Sequence, residues 1–377
     1  MTPSKHQFAG KCKRVKLSDI CVKGKSSLRQ KDIANDGPYA VYGASGIVGS
    51  TSCFQNAKPY VAVVKDGAGV GRANACNAET SVLGTMQALI PKEGVDCRYL
   101  LHLVRSMRLG EDFSGSTIPH IYFRDYGKTL VPFPDMSGQR QIVEALDDIE
   151  KQRLTATKQI DRLDSLVKSR FVEMFGDFAC YETKPLIKCV DCIEAGKSPK
   201  CLAFSRKMAE PGVLKLSAIS SGVYCENENK ALPRSVSLTI DKVVHGNDIL
   251  LSRKNTPELV GRSVLVKHTD GNIMFPDIIF RMHPLSPINA MYLSYLLAGP
   301  LLHSIQSLAH GSAKSMSNIP KSELAKLSIP IPALNLQNEF ANFASQVDKS
   351  RFGGMLHLLN SLSGIMHASF FSVADTD

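Results

Sequence analysis

An internal repeat is the feature of this sequence that most restricts its fold. The run of residues 115–151 returns in degraded form at residues 311–349. Gln139 and Gln337 occupy the same place in the two copies, 198 residues apart, and other identities follow at the same offset. Similarity of order and spacing over this length indicates that the chain contains two copies of one structural design.

A Pro-x-Pro triplet lies at the same point of each copy, at residues 132–134 and 330–332. Proline has no N–H for a β-ladder and cannot continue a helix, so each triplet is predicted to end a globular block. The sequence therefore predicts four segments: globular domains at 1–134 and 177–332, and helical segments at 135–176 and 333–377.

A long helical pattern follows each triplet. No glycine or proline interrupts residues 139–175, and positions spaced alternately by four and three carry the seam Ile142, Leu146, Ile149, Arg153, Ala156, Ile160, Leu163 and Val167. The second segment repeats the rhythm through Phe340, Phe343, Val347, Leu358, Leu362 and Ile365. Gly353 and Gly354 interrupt it, at about 1 kcal/mol each relative to alanine. We predict two long antiparallel helices that resemble a coiled coil; amphipathic helices on a globule are the alternative.

The globular blocks have a mixed α/β (α+β) pattern. Strands are predicted at residues 60–64, 248–251 and 263–266, and helices at 98–108 and 290–307. The predicted fold is therefore two similar α/β domains separated by two long helices, with a pseudo-two-fold internal repeat.

The formal charge of +10 is unevenly distributed along the chain. The two globular blocks carry +8 and +5, whereas the two helical segments carry −1 and −2. Two positive blocks suit two surfaces that face a polyanion, because lysine and arginine neutralise phosphates and release counterions. A merely soluble basic protein is the alternative interpretation.

The location and the thiols are inferred together. No export signal is visible near the first residue, and the longest apolar stretch, residues 290–305, falls short of the ~20 residues that cross a bilayer. A cytoplasmic protein without membrane contact is expected, with its ten cysteines reduced. Cys189 and Cys192 have a spacing that zinc sites use, but no second close pair completes a ligand set. No metal site is predicted.

With two globular blocks alternating with two helical segments, the sequence resembles the specificity subunits of type I restriction-modification systems. The resemblance covers nearly the whole chain and rests on four stretches: residues 39–49, the run GSTIPHI at 115–121, Pro-x-Pro followed by QRQIVEALD, and residues 169–177. It implies that each globular block is a target recognition domain that reads one half of a split DNA sequence. It also implies two methyltransferase subunits that use S-adenosylmethionine, and restriction subunits that use ATP and Mg²⁺.

Catalytic motifs are absent from the sequence itself. It contains no Asn/Asp-Pro-Pro-aromatic segment of adenine methyltransferases and no GxxxxGK[ST] phosphate loop. We therefore expect a DNA-recognition subunit without a catalytic centre or a cofactor of its own. The alternative is a scaffold or interaction protein whose basic blocks bind nucleic acid without sequence preference.

Two basic loops are the predicted DNA contacts. Each follows a predicted strand and ends in Gly-Arg, at residues 65–72 and 252–262. Arginine and asparagine can make paired hydrogen bonds to bases, whereas lysine and serine more often hold phosphates. The predicted contacts are Lys65, Arg72, Ser45, Arg253, Lys254, Asn255 and Arg262. Alternatives are a turn-forming role for Ser45 and surface hairpins for the loops, while His120 is either a contact or a capping or core histidine.

Overall fold

The computed structural model describes residues 12–67, 69–111, 119–311 and 316–350. Residues 115–118 of the GSTIPHI run and the second helical segment beyond residue 350, with Gly353 and Gly354, lie outside the described residues. The chain divides into two compact units, residues 1–158 with 354–377 and residues 159–353.

The described residues of unit 1 form nine strands, three short α-helices and the start of a long one. The strands are β1 (Lys13–Lys16), β2 (Cys21–Lys23), β3 (Tyr39–Gly43), β4 (Gly46–Thr51), β5 (Tyr60–Val64), β6 (Ala73–Cys76), β7 (Ser81–Val82), β8 (Met86–Pro91) and β9 (Leu130–Phe133). The helices are α1 (Leu17–Ile20), α2 (Cys97–Ser106), α3 (Phe123–Tyr126) and α4 (Met136–Phe175), of which α4 continues into unit 2.

Unit 2 contains the remaining described elements. Its strands are β10 (Thr183–Pro185), β11 (Glu194–Ala195), β12 (Gly212–Leu214), β13 (Asn229–Ala231), β14 (Ile249–Ser252), β15 (Lys254–Asn255), β16 (Ser263–Leu265), β17 (Ile273–Met274), β18 (Ile279–Met282), β19 (Ser317–Asn318) and β20 (Ser328–Pro330). Its helices are α5 (Ser217–Ser220), α6 (Ala290–Ala298), α7 (Leu302–Ser307), α8 (Lys321–Leu324) and α9 (Leu334–Ser350).

The two units share one sheet topology. Unit 1 has a four-stranded sheet in the order β2-β8-β5-β6, and unit 2 has one in the order β11-β18-β14-β16. In each, the strands that pair do so in antiparallel fashion. A three-stranded sheet accompanies each of them, with a central strand that pairs antiparallel on one side and parallel on the other. The predicted internal repeat and mixed α/β fold are confirmed by this correspondence.

The central strands are hydrophobic because both of their faces are covered. Every residue of β5 and of β14 is buried, although β14 ends in Ser252. On one face of each sheet lies an equivalent helix, α2 in unit 1 and α6 in unit 2. The leucines and one tyrosine of each helix enter the core clusters. The nearly continuous apolar sequences of β5 and β14 are thus explained by burial of both faces of the strand.

Two buried glutamines occupy the same place in the two copies of the repeat and make matching hydrogen bonds. Gln139 is 0 % exposed; its side chain accepts from the Asp96 N–H at 2.8 Å and donates to the Gly94 and Pro134 carbonyls. Gln337 is also 0 % exposed; it accepts from the Asn289 N–H at 2.8 Å and donates to two proline carbonyls. Asp96 and Asn289 are the N-caps of α2 and α6. Each glutamine therefore holds a long helix to the cap of the neighbouring one.

The Pro-x-Pro triplets form a second matched anchor. The Tyr99 hydroxyl donates to the Pro132 carbonyl at 2.6 Å, and the Tyr292 hydroxyl donates to the Pro330 carbonyl at 2.9 Å. Each triplet ends a strand before a helix, as predicted.

Helix α4 is the predicted first long helix, and at 40 residues it spans about 60 Å at 1.5 Å per residue. Four buried apolar residues, Leu146, Ala156, Val167 and Phe171, follow the predicted seam and its continuation. In unit 2, Phe171 packs against Phe340 of α9, with ring centroids 5.0 Å apart. How the two long helices run beside each other over their full length stays a prediction, because part of the predicted second helical segment lies outside the described residues.

One predicted helix is interrupted. Residues 290–307 form α6 and α7 instead of a single helix, and Gly299 and Pro300 lie between them. Pro300 has no N–H to continue the helical hydrogen bonds, and Gly299 leaves helical geometry with φ −119° and ψ −98°. The single helix was predicted from the apolar pattern of residues 290–307, which does not by itself show where a helix ends.

Candidate nucleic-acid interface

Loop A, residues 65–72, connects β5 to β6 in unit 1. It opens with the N–H groups of Lys65 and Asp66, which both donate to the Thr85 carbonyl, at 3.0 and 3.2 Å. It closes where the Val64 carbonyl accepts from Gly71 and the Val64 N–H donates to Arg72, both at 2.8 Å. Loop A is therefore fixed at both ends by its own sheet.

Loop B, residues 253–262, connects β14 to β16 in unit 2 and has the same construction. The N–H groups of Arg253 and Lys254 both donate to the Ile278 carbonyl, at 2.9 and 3.2 Å. The Ser252 carbonyl accepts from Gly261, and the Ser252 N–H donates to Arg262, again both at 2.8 Å. The similarity predicted from the sequence thus extends to the backbone hydrogen bonds of both loops.

The glycine of each Gly-Arg ending is required by the backbone. Gly71 has φ +83° and Gly261 has φ +77°, in the left-handed region that other residues rarely adopt. Space is also short, since a Cβ atom at Gly71 would overlap the Gly110 backbone, and one at Gly261 would lie 2.7 Å from Ile305. The following arginine is therefore presented from the same backbone position in each unit.

Arginines surround the end of loop A. Arg72 is exposed and lines an open groove of about 420 Å³ together with Asn74, Arg105 and Arg108. Arg105 donates to the Ala73 carbonyl at 3.0 Å and pairs with a glutamate of α4, so it is held in place. Arg108 pairs with Glu111, which also lines the groove. The groove therefore places the Arg72 guanidinium, which can bond to an anionic or planar polar ligand, beside two arginines that are already ion-paired.

The remaining predicted contacts of unit 1 are differently placed. Lys65 is half-buried at the start of loop A, and Ser45 is exposed in the two-residue turn that joins β3 to β4. His120 lies 2.8 Å from the carboxylate of Asp66, so its ring bonds within the protein.

In loop B the cations are held more tightly. The Arg253 guanidinium lies over the Phe280 ring, 5.3 Å from its centroid, and donates to the Asp277 carbonyl at 3.4 Å. The Lys254 ammonium lies 4.0 Å from the Asp277 carboxylate. Arg262 donates to the Ser220 carbonyl at 3.4 Å. These contacts restrict the side chains before any ligand binds.

Asn255 is the predicted contact that the structure places least favourably. It is 6 % exposed; its carbonyl oxygen accepts from the Thr256 N–H at 2.9 Å, and its amide donates to Ser252. Its described bonds shape loop B.

A polar network joins α2 to α4 in unit 1. Asp147 accepts from Arg98 at 2.6 Å and lies 2.8 Å from His102, while Glu150 pairs with Arg105. Although burial acts to raise it, hydrogen bonds from Arg98 and His102 hold the pKa of Asp147 below its ordinary value.

His102, Asp147 and Glu150 have the spacing of a metal site, the one such group among the described parts of the chain. Both carboxylates are already paired with arginines, so the group suits an ion-pair network better than a cation. Cys189 is buried and Cys192 partly buried, and neither belongs to a metal-like group of described residues.

A second repeated loop was missed in the sequence. Gly24-Lys25-Ser26 follows β2 in unit 1, and Gly196-Lys197-Ser198 follows β11 in unit 2. The tripeptide Gly-Lys-Ser is identical in the two places, but it lies outside the repeated stretches at residues 115–151 and 311–349. The match becomes meaningful only once β2 and β11 are known to be equivalent strands.

The described helices include none that is long and apolar enough to cross a membrane. Comparison with known proteins adds the family. Residues 10–164 match the model of the type I restriction modification DNA specificity domain. The specificity subunit of the type I restriction enzyme EcoEI from Escherichia coli is 35 % identical over 148 residues. That match covers 38 % of this chain and 25 % of the relative, so only a quarter of that relative's length is matched.

Solved structures extend the likeness to the whole fold. The type I S subunit of M. genitalium matches with a TM-score of 0.52 at 14 % identity, over 97 % of this chain and 98 % of that one. A chain from a structure on complex assembly and conformational transition of the type I restriction-modification system matches with a TM-score of 0.50 at 15 % identity, over 96 % of each. Residues 10–164 therefore belong to the type I restriction modification DNA specificity domain family, in a chain that has the fold of a type I S subunit.

Proposed function

We propose that this chain is the sequence-specific, double-stranded-DNA recognition subunit of a type I restriction-modification complex. The observation that carries the proposal is the matched pair of loops. Two units of one topology each close a basic loop with the same hydrogen bonds and end it in Gly-Arg. A duplicated reader suits a target made of two half-sites.

The proposal assigns a task to each segment. Residues 1–134 and 177–332 are target recognition domains that each read one half-site, and the helical segments 135–176 and 333–377 are spacers. Arg72 and Arg262 are proposed to read bases, because a guanidinium fixed at its backbone can bond to both acceptors of a guanine. Lys65, Ser45, Arg253 and Lys254 are proposed to hold or flank the phosphates.

The proposal also assigns the chemistry to partners. Two methyltransferase subunits would use S-adenosylmethionine, restriction subunits would use ATP and Mg²⁺, and this chain would hold no catalytic centre or cofactor. It would act in the cytoplasm, where those partners and the DNA are found. Support comes from the family match and from the type I complex whose assembly gives one matching structure its title.

Coexpression with a methyltransferase subunit from the same genome tests the function. N6-methyladenine is mapped along the host DNA at single-base resolution, with each chain expressed alone as the control. One split motif, methylated only when both chains are present, is the expected result. Methylation without a motif, or two chains that do not copurify, would instead favour the scaffold interpretation.

A further inference from the structure

The Gly-Lys-Ser loops lie at equivalent places in the two units. We name residues 24–28 of unit 1 and 196–200 of unit 2 the GKS loops. Each GKS loop follows an edge strand of the four-stranded sheet of its unit, β2 in unit 1 and β11 in unit 2. Among the described elements no α-helix follows directly, so the loops lack the strand-loop-helix context of a nucleotide-phosphate site.

In both loops the glycine is there because the backbone approaches a neighbour closely. A Cβ atom at Gly24 would lie 2.5 Å from the Asn56 side-chain oxygen, and one at Gly196 would overlap the Phe275 carbonyl. The lysine that follows is fixed through its backbone. Lys25 N–H donates to Asn56 at 3.0 Å, and Lys197 N–H donates to the Phe275 carbonyl at 3.1 Å.

The unit 1 GKS loop is attached to the segment that holds loop A. The Gly84 N–H donates to the Leu28 carbonyl at 2.7 Å, and Leu28 bridges Leu83. The next residue, Thr85, accepts the two N–H groups that open loop A. One short stretch of chain, residues 83–85, therefore supports both loops.

The unit 2 GKS loop has the same relation to loop B. The Ser198 hydroxyl bonds to the Asp277 carboxylate, and the Asp277 N–H donates back to Ser198 at 3.2 Å. The Asp277 carbonyl also accepts a hydrogen bond from Arg253, and its carboxylate lies 4.0 Å from the Lys254 ammonium. The carbonyl of the next residue, Ile278, accepts the two N–H groups at the start of loop B.

Lys25 and Lys197 remain available for a ligand. Both side chains are exposed, and neither ammonium group has an ion-pair partner within the described ranges. Lys254, next to the unit 2 GKS loop, is by contrast already paired with Asp277 at 4.0 Å.

We infer that Lys25 and Lys197 are matched phosphate contacts, one in each unit, that hold the DNA backbone beside loops A and B. The inference rests on the proposed function and adds a second contact to each half of it. A compact ammonium on a fixed backbone suits a phosphate rather than a base edge. Each lysine should therefore contribute affinity without sequence preference.

The test uses the full chain copurified with its methyltransferase subunits and duplexes with the mapped target or with altered half-sites. Fluorescence anisotropy gives the affinity at a series of KCl concentrations for Lys25→Gln, Lys197→Gln and the double variant. Each single variant should lower the salt slope by about 1 and the double variant by about 2. The fold-loss should be the same for target and altered duplexes.

Matched controls are Lys128→Gln in unit 1 and Lys188→Gln in unit 2, both exposed and outside these loops. They should leave the slope unchanged, and Lys25→Arg should retain it. Unchanged slopes in a folded double variant would overturn the inference, as would a loss confined to the target duplex. If the unaltered complex shows no target preference, the proposed function fails, while the slopes on any duplex still decide the role of the lysines.

Discussion

Arg72 and Arg262 occupy equivalent backbone positions in the two units but have different surroundings. Arg72 stands beside an open groove with other arginines, whereas Arg262 bonds to the Ser220 carbonyl. If each reads a guanine, the two should act on different half-sites.

Replacing Arg72 by alanine is expected to cost about 1–3 kcal/mol of binding free energy at one half-site and to relax its sequence preference. Arg262→Ala should do the same at the other half-site. Methylation mapping with partner subunits measures both. Equal loss at both half-sites from either variant would contradict the assignment of one unit to each half.

Asp270 provides a pH-dependent contribution to stability in unit 2. The hydrogen bond from Arg206, at 2.7 Å, is the main cause that lowers the pKa of Asp270 to about 2. A folded pKa below the unfolded value near 3.9 means that the contact stabilises above about pH 4. That stabilisation is lost as the pH falls from about 4 to about 2.

Asp270→Asn is expected to cost about 1–2 kcal/mol near neutral pH, with some solvent screening at this partly exposed site. The difference in unfolding free energy from the unaltered chain should shrink between about pH 4 and 2. Urea unfolding at several pH values checks this, with exposed Asp36→Asn as the control. Differences that stay constant across that range would refute the linkage.

At the scale of elements, the two copies of the repeat share a glutamine at the point where one helix is held to its neighbour. Gln139 and Gln337 each satisfy three backbone groups at the junction of two helices and a Pro-x-Pro strand. No shorter or apolar side chain could do so.

Gln139→Ala should lower the free energy of unfolding by about 2–4 kcal/mol, because it leaves buried backbone groups without partners. Gln337→Ala should behave alike in unit 2. The exposed neighbour Gln141→Ala should stay within about 0.5 kcal/mol. Chemical denaturation measures all three, and equal effects of Gln139 and Gln141 would count against the anchoring role.

Phe171 holds the second half of α4 to its unit. Its ring contacts Phe175, Tyr292, Tyr295 and Phe340. Phe171→Ala should cost about 3–5 kcal/mol through lost burial and a cavity, whereas the adjacent Val172, 60 % exposed, should tolerate alanine. Thermal unfolding of the whole chain is the measurement, and similar melting temperatures for the two variants would contradict the packing.

On the scale of the molecule, the two units repeat the same topology with different side chains. The bonding partners of Arg72 belong to unit 1 and those of Arg262 to unit 2. Effects at sites without shared partners usually add.

The Arg72→Ala, Arg262→Ala double variant should therefore lose binding free energy equal to the sum of the two single losses, within about 0.5 kcal/mol. Anisotropy with the full target duplex, on the assembled complex, gives the three values. A double loss far from the sum would mean that the two readers are coupled.

Local sequence determined the elements that depend on local chemistry. Continuous apolar runs marked β5 and β14, the Pro-x-Pro triplets marked strand ends, and the uninterrupted heptad rhythm marked α4. The Gly-Arg loop endings were visible because a left-handed backbone selects glycine at the same step in both copies.

Tertiary structure decided what depends on neighbours distant in sequence. It broke residues 290–307 into two helices, buried Asn255, and paired Asp147 and Glu150 with arginines of another helix. It also revealed the GKS loops, since their equivalence follows from sheet order and not from a constant offset. The burial and ion pairing of a residue depend on which distant segments of the chain pack against it. A linear sequence pattern shows only that a segment has an apolar or a charged face.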